Sequence, residues 1–343
     1  MIAWCRWWGL VACVALGALS GCRREPPPPS TDAAAPPSAT ASAPAPQAPP
    51  AERPPFSILA ARRSLHTTLP ANSLAVANGR PPKPPAGLLE TVKYPAPLGD
   101  NVAYVTPRGK AGKRPAIVWL TGGFGGSVGA SAWLPAPRSN DQSARAFREA
   151  GIVTMYPALR GANGNLGTHE CFLGEVDDVL AAAAYLEKRD DIDPKRIYLG
   201  GHSTGGTMAL LAAESTASFR AVFALGPVGD PRNYGEGGCM PDGVSEAEAS
   251  PRAPALRMNE IVTPTFVIEG TGGNHGAFPE LKARASSSVF FRLVPSADHF
   301  SVIAPATEVI ARALLRDVGD KPKLWVEGAT IADNLYGLPV EVK

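Results

Sequence analysis

The chain is short of cysteine and of histidine, with five of each in 343 residues, and it carries almost no excess of either charge, its net formal charge being +2. There is no basic stripe with interleaved aromatics, which excludes a nucleic-acid partner. Beside His169-Glu170-Cys171 there is no second ligand cluster at zinc spacing, so a zinc site is not supported. The glycine-rich loops lack the lysine-serine pair of a phosphate cradle. No internal repeat is present, no apolar run is long enough to span a bilayer comfortably, and nothing calls for a cofactor or a metal.

The start of the chain differs sharply from the rest. Arg6 precedes an apolar run from Gly9 to Leu19, and small residues follow, the order of a cleaved secretory signal. Its close, Leu19-Ser20-Gly21-Cys22, resembles the bacterial lipoprotein signal, in which Cys22 would become the lipid-bearing N-terminus; an ordinary signal cut nearby is the alternative. Arg23 and Arg24 follow Cys22, without the aspartate that resembles inner-membrane retention, so an outer-membrane anchor is expected. From Arg23 to Pro55 the chain is mostly Pro, Ala, Ser and Thr and cannot bury enough surface to offset its entropy. The expected layout is a signal over 1–21, a disordered tether over 22–55 and one domain over 56–343. Once Cys5, Cys13 and Cys22 are set aside, Cys171 and Cys239 remain. In an oxidising compartment they are expected to form a disulfide, the alternative being two buried thiols.

The domain alternates short apolar runs with helical stretches. Residues 90–106 read as a hairpin about Leu98-Gly99-Asp100. Strands are expected at Pro115–Leu120, Ile152–Pro157, Arg196–Leu199, Arg220–Leu225, Pro264–Ile268 and Val289–Val294. Helices are expected at Asn140–Ala150, Glu175–Lys188, Thr207–Glu214, Phe278–Ala285 and Pro305–Leu315, with Asp193-Pro194 breaking the chain before the third strand. Gly235 to Met258 reads as irregular. Such alternation implies an α/β fold with a mostly parallel sheet covered on both faces.

In this frame Gly201-His202-Ser203-Thr204-Gly205 falls between a buried strand and a helix. Glycines two before and two after a serine are needed where a strained turn leaves no room for side chains. Ser203 is therefore a candidate nucleophile rather than one serine in a glycine turn. Nucleophilicity near neutral pH requires a base, and in this topology the base follows the last strand. Only His299, in the segment PSADHFSVIAP, stands there. His66 and His275 read as surface residues, and His202 as part of the pocket wall. An oxyanion site needs two backbone N–H groups: Thr204 supplies one, and the loop Thr121-Gly122-Gly123-Phe124-Gly125-Gly126 the other, through Gly123 or Phe124. That loop resembles the HGG-type loop of lipases and peptidases, with threonine in the place of histidine.

Together with Tyr156-Pro157 to Arg160-Gly161, Asp177-Asp178, Asp193-Pro194 to Arg196-Ile197 and Asp298-His299-Phe300, these motifs resemble the α/β-hydrolase fold. The nearest likeness is the catalytic domain of the prolyl oligopeptidase and dienelactone hydrolase group. The resemblance implies serine hydrolase chemistry through an acyl-enzyme, with Ser203 as nucleophile and His299 as base, then acid. One departure stands out. The family places an aspartate after the penultimate strand, and here there is none between Gly243 and Ala297. Glu269 at that strand's end is the first candidate to replace it, and Asp230, one strand earlier, the second. Asn274 could hold the imidazole tautomer but could not stabilise the imidazolium by charge. Asp298 is read as solvated or as a support of its loop. Fewer than about a hundred residues precede the domain, too few for a propeller of four-stranded blades. An ester or short acyl-amide substrate is therefore expected ahead of size-selected peptides. The rival reading is a non-catalytic cell-envelope binding protein that keeps the scaffold.

Overall fold

A computed structural model describes residues 58–69, 81–109 and 112–337. The chain divides between Arg53 and Pro54, and the described residues all fall in the second unit, Pro54–Lys343. The signal, the tether and Cys22 lie outside the described residues.

Eight strands form one sheet: β1 (Glu90–Ala96), β2 (Gly99–Val105), β3 (Arg114–Leu120), β4 (Val153–Pro157), β5 (Ile192–His202), β6 (Val222–Leu225), β7 (Thr265–Gly272) and β8 (Val289–Asp298). Among the described residues eight α-helices accompany them: α1 (Ile58–Ser64), α2 (Ala146–Glu149), α3 (Glu175–Glu187), α4 (Thr204–Ser215), α5 (Glu246–Ala249), α6 (Phe278–Lys282), α7 (Ile303–Arg316) and α8 (Gly328–Asp333). The strand order is β1-β2-β4-β3-β5-β6-β7-β8. The β1–β2 and β2–β4 pairs are antiparallel, and every later neighbour is parallel.

Parallel strands are buried on both faces, which is why β3, β4 and β6 are largely apolar, with Thr154 in β4 buried among them. The side chains of β3 alternate between two cores. Ala116, Val118 and Leu120 pack with the α3–α4 face, and Ile117 and Trp119 with the α7 face. The helices fit their layer: α4 is buried along nearly its whole length, and α7 along most of it, leaving only Leu315 and Arg316 exposed at its end.

Three expectations are corrected. The helix expected over Asn140–Ala150 is only the four-residue α2, because Ala144 adopts φ +45° and Ser143 folds onto the Asp141 carboxylate. The Asp193-Pro194 break lies within β5 as a bulge: Arg114 pairs with Ile192, whereas Ala116 pairs with Ile197. The irregular stretch 235–258 contains α5 and short 3-10 turns. There Arg252, fully buried, hydrogen-bonds to the carbonyl of Glu170 and to Thr67.

Candidate active site

The site lies where β5, β6, β7 and β8 end on the same side of the sheet, the position at which open α/β sheets present their ligand crevice. β5 stops at His202 and α4 starts at Thr204, so Ser203 alone makes the turn, with φ +55° and ψ −118°. An L-residue reaches that conformation only under constraint. Here the constraint is visible: Ser203 N–H donates to the Leu225 carbonyl at 2.7 Å, and its own carbonyl accepts from Thr207 N–H. A Cβ on Gly201 would run into the Gly205 backbone, and one on Gly205 into the Leu120 carbonyl. Gly206 is a third such position, since its Cβ would meet the Leu225 oxygen at 2.6 Å.

Behind this elbow stands the pair His299–Glu269. His299 follows β8, and its Nδ1 lies 2.8 Å from Glu269 Oε2. Glu269 belongs to β7 and is wholly buried. Its Oε1 accepts from Gly270 N–H at 2.7 Å, and its Oε2 accepts from Asn274 N–H at 3.0 Å as well as facing the imidazole. An ionised carboxylate without water needs these donors. Close approach also depends on two glycines. A Cβ on Gly226 would lie 2.6 Å from His299 Cε1 and 2.7 Å from Glu269 Oε2, and one on Gly273 would lie 2.5 Å from Glu269 Oε1. His299 makes no direct hydrogen bond to Ser203 among the described residues.

Asp230 is elsewhere. Its carboxylate caps the 3-10 turn Pro231–Tyr234 through Arg232 N–H and pairs with the Arg232 guanidinium at 2.6 Å. That double engagement turns it away from the histidine, so Asp230 is not the group behind His299. Asn274 meets Glu269 only through its backbone, and its side chain does not hold the imidazole. Asp298 accepts from the N–H groups of Phe300 and Ser301 and from the Ser301 hydroxyl, which holds its carboxyl below the usual range and ties the loop that carries His299.

The loop after β3 passes beside the elbow. Gly123 has φ +102°, and its carbonyl accepts the Thr204 hydroxyl at 2.8 Å. Neither Phe124 N–H nor Thr204 N–H donates to an acceptor among the described residues, and the Thr204 amide opens α4, where the helix dipole favours negative charge. A cavity of about 40 Å³ lies under this loop, lined by Phe124, Leu159, Phe172, Thr204 and Met208 among others. The ring of Tyr234 stacks on Phe172 and meets Phe124 edge-on at 5.0 Å. The Tyr234 hydroxyl bonds Thr207 at 2.8 Å; burial raises its pKa, with the hydrogen bonds of Thr207 and Ser203 drawing it part of the way back.

Cys171 and Cys239 are disulfide-bonded across 68 residues of chain, which ties the Phe172 segment to the loop after Tyr234. His169 faces Glu175 at 3.6 Å and accepts from Cys171 N–H, a role within this segment. His66 and His275 are exposed. Among the described residues no three His, Cys, Asp or Glu side chains are grouped to hold a metal, and no helix is long and apolar enough to cross a membrane. Tyr234, Gly226 and Gly273 escape sequence reading, because their roles rest on contacts between segments far apart in the chain.

The chain has the α/β-hydrolase fold, and its site sets a serine on a strained strand-to-helix turn beside a histidine paired with a buried carboxylate. The model of the prolyl oligopeptidase family matches residues 139–272, less than half of the chain, a span that holds Ser203 and Glu269 and ends before His299. Among solved structures, a puromycin-hydrolyzing peptidase of Mycobacterium tuberculosis is similar with a TM-score of 0.57 and 19% identity, over 70% of this chain and 41% of that one. A 2,6-dihydroxy-pseudo-oxynicotine hydrolase is similar with a TM-score of 0.53 and 16% identity, over 71% and 72%. An acylaminoacyl peptidase in complex with a chloromethyl ketone gives 0.50 and 16%, over 72% and 44%. No curated protein sequence matches the chain. The chain thus spans about two fifths of the peptidases it resembles. The reading as a non-catalytic binding protein is not favoured.

Proposed function

We propose that the protein cleaves an ester or a short acyl-amide bond through an acyl-enzyme on Ser203. His299 takes the Ser203 proton as the hydroxyl attacks the carbonyl, and gives it to the leaving group as that bond breaks; water then attacks the acyl-enzyme, passing its proton to His299, which returns it to Ser203 as the acyl–Ser203 bond breaks. Glu269 orients the imidazole and stabilises its charged form, and the amides of Thr204 and of Phe124, or of Gly123 beside it, receive the oxyanion. The observation that carries this reading is the 2.8 Å contact between His299 Nδ1 and a fully buried carboxylate that accepts two backbone N–H groups. A structural ion pair would not need a strained serine at the end of β5, two strands from Glu269.

The cavity under the oxyanion loop offers an apolar wall of Phe124, Leu159, Phe172 and Met208 beside Thr204, which supports a small acyl group. Labelling with a fluorophosphonate probe is expected to occur and to vanish in Ser203→Ala. Turnover of a panel of p-nitrophenyl esters and aminoacyl-anilides then separates esterase from peptidase. Unlabelled wild-type protein would overturn the assignment. Attachment to a bacterial membrane, with the outer membrane favoured, through lipid on Cys22 is part of the same proposal. It is checked by incorporation of a fatty-acid analogue that Cys22→Ala abolishes.

A further inference from the structure

His202 is the residue of the elbow that the reaction scheme leaves idle, yet it is almost wholly buried and touches three separate segments. Its Nε2 lies 2.7 Å from the backbone carbonyl of His299, and its Nδ1 lies 3.2 Å from Gln142 Nε2. Its ring centroid is 4.5 Å from that of His299. The Gly122 backbone of the oxyanion loop packs against it too, since a Cβ there would lie 3.2 Å from His202 Nδ1.

These partners allow one tautomer. A carbonyl only accepts, so Nε2 carries the proton; the Gln142 amide donates, so Nδ1 offers its lone pair. The charged form would need a second acceptor at Nδ1 and would sit against the ring that must itself become a cation. Burial, then the charge on His299, accordingly push the His202 pKa down to about 4. The Glu269 carboxylate pulls in the opposite direction and does not prevail.

We propose that His202 is a positioning residue for the hydrolysis, its Nε2–H fixing the His299 main chain so that the imidazole stays between Glu269 and Ser203. The inference rests on the serine hydrolase reading above. Nothing else among the described residues donates to the His299 carbonyl; the loop beyond it is held by the exposed Asp298 turn and by the N–H groups of Val302 and Ile303 on the carbonyls of Asp298 and Phe300. A neutral donor suits this place, because a second cation 4.5 Å away would oppose the imidazolium formed in the transition state.

The test compares His202→Leu, which keeps bulk without a donor, with His202→Gln, whose terminal amide reaches toward the same carbonyl. With p-nitrophenyl acetate, kcat of the leucine variant is expected to fall about ten- to a hundredfold with KM nearly constant, because misplacement rather than binding is lost. The glutamine variant is expected to recover most of that loss. Should the leucine variant not fold, His202→Asn takes its place, an amide too short to reach the carbonyl. Equal kcat in the glutamine variant and its donor-less counterpart overturns the proposal, whatever their shared value. Wild-type protein that neither labels at Ser203 nor turns over ester overturns the serine hydrolase reading and takes this proposal with it. Wild-type labelling with equal variants overturns the positioning role alone.

Discussion

Glu269 and Asp230 are both carboxylates just beyond or within the ends of neighbouring strands, and both satisfy what a sequence can ask of a group behind the base. Their surroundings separate them. Glu269 is walled in by Gly226 and Gly273, receives two backbone N–H groups, and among the described residues pairs with no lysine or arginine. Asp230 sits at the N-terminus of a 3-10 turn with Arg232 folded over it, and Arg232 also reaches Glu246. A carboxylate already neutralised by a guanidinium has little charge to offer an imidazolium, whereas one held by amides keeps its full charge for it.

The sharpest way to break the comparison is at the two acids themselves. Glu269→Gln keeps the shape but removes the charge and permits the wrong imidazole tautomer, so kcat should fall about a thousand- to ten-thousandfold. Asp230→Asn should leave kcat within about threefold, since the Asp230 carboxylate is engaged by Arg232 and does not touch His299. Steady-state kinetics on one p-nitrophenyl ester decide it; equal losses would mean that both carboxylates serve the histidine.

The disulfide separates the same two regions by stability rather than rate. Cys239 lies on the loop that leaves the Asp230 turn, while Glu269 and His299 are held by β7 and β8. Replacing both cysteines by serine should cost about 4 kcal/mol for a loop of this length on the chain-entropy account. Denaturant unfolding reads that loss. Below the transition, kcat should fall less than in Glu269→Gln, because the His299–Glu269 contact does not pass through the bridge.

Acid sharpens the contrast from the histidine side. The His202 pKa is near 4 in the fold against an ordinary value of 6.5, so the unfolded chain binds more protons between those limits. The stability this gives is full above about pH 6.5 and is lost as pH falls toward 4, up to about 3 kcal/mol. Urea midpoints measured across that window should drop in the wild type, and the slope due to this residue should disappear in His202→Gln.

The elbow was legible because its requirements are local: Gly201 and Gly205 stand two residues from Ser203, and their clashes are with the turn's own backbone and the adjoining strand. His299 was legible from chain order alone. The acid was legible only as a choice, with Glu269 first and Asp230 second, because the His299–Glu269 contact spans 30 residues and depends on the β7–β8 register, in which Glu269 faces Leu293. A glutamate has one methylene more than aspartate, so it reaches the histidine from within the strand, whereas an aspartate is sought in the loop beyond. Helix α2 failed for a different reason. The positive φ at Ala144 is imposed by the Asp141–Ser143 turn and leaves no trace in helix propensity.

The smallest expected effect tests whether glycine, rather than the acid alone, makes the difference between the two regions. Gly226 and Gly229 lie on the same loop after β6, and a Cβ at either would be crowded. At Gly226 the obstacles are the His299 ring and the Glu269 carboxylate, and φ is +59°. At Gly229 the nearest atoms belong to the end of the Glu280 side chain, which can swing away, and to Ala255 Cβ at 3.0 Å. Gly226→Ala should therefore push the acid and base apart and lower kcat by about a hundredfold. Gly229→Ala should lower it by less than about threefold, because displacing a flexible side chain costs little. Equal kinetic losses in the two variants would mean that the whole β6 loop, and not the contact at Gly226, governs the His299–Glu269 geometry.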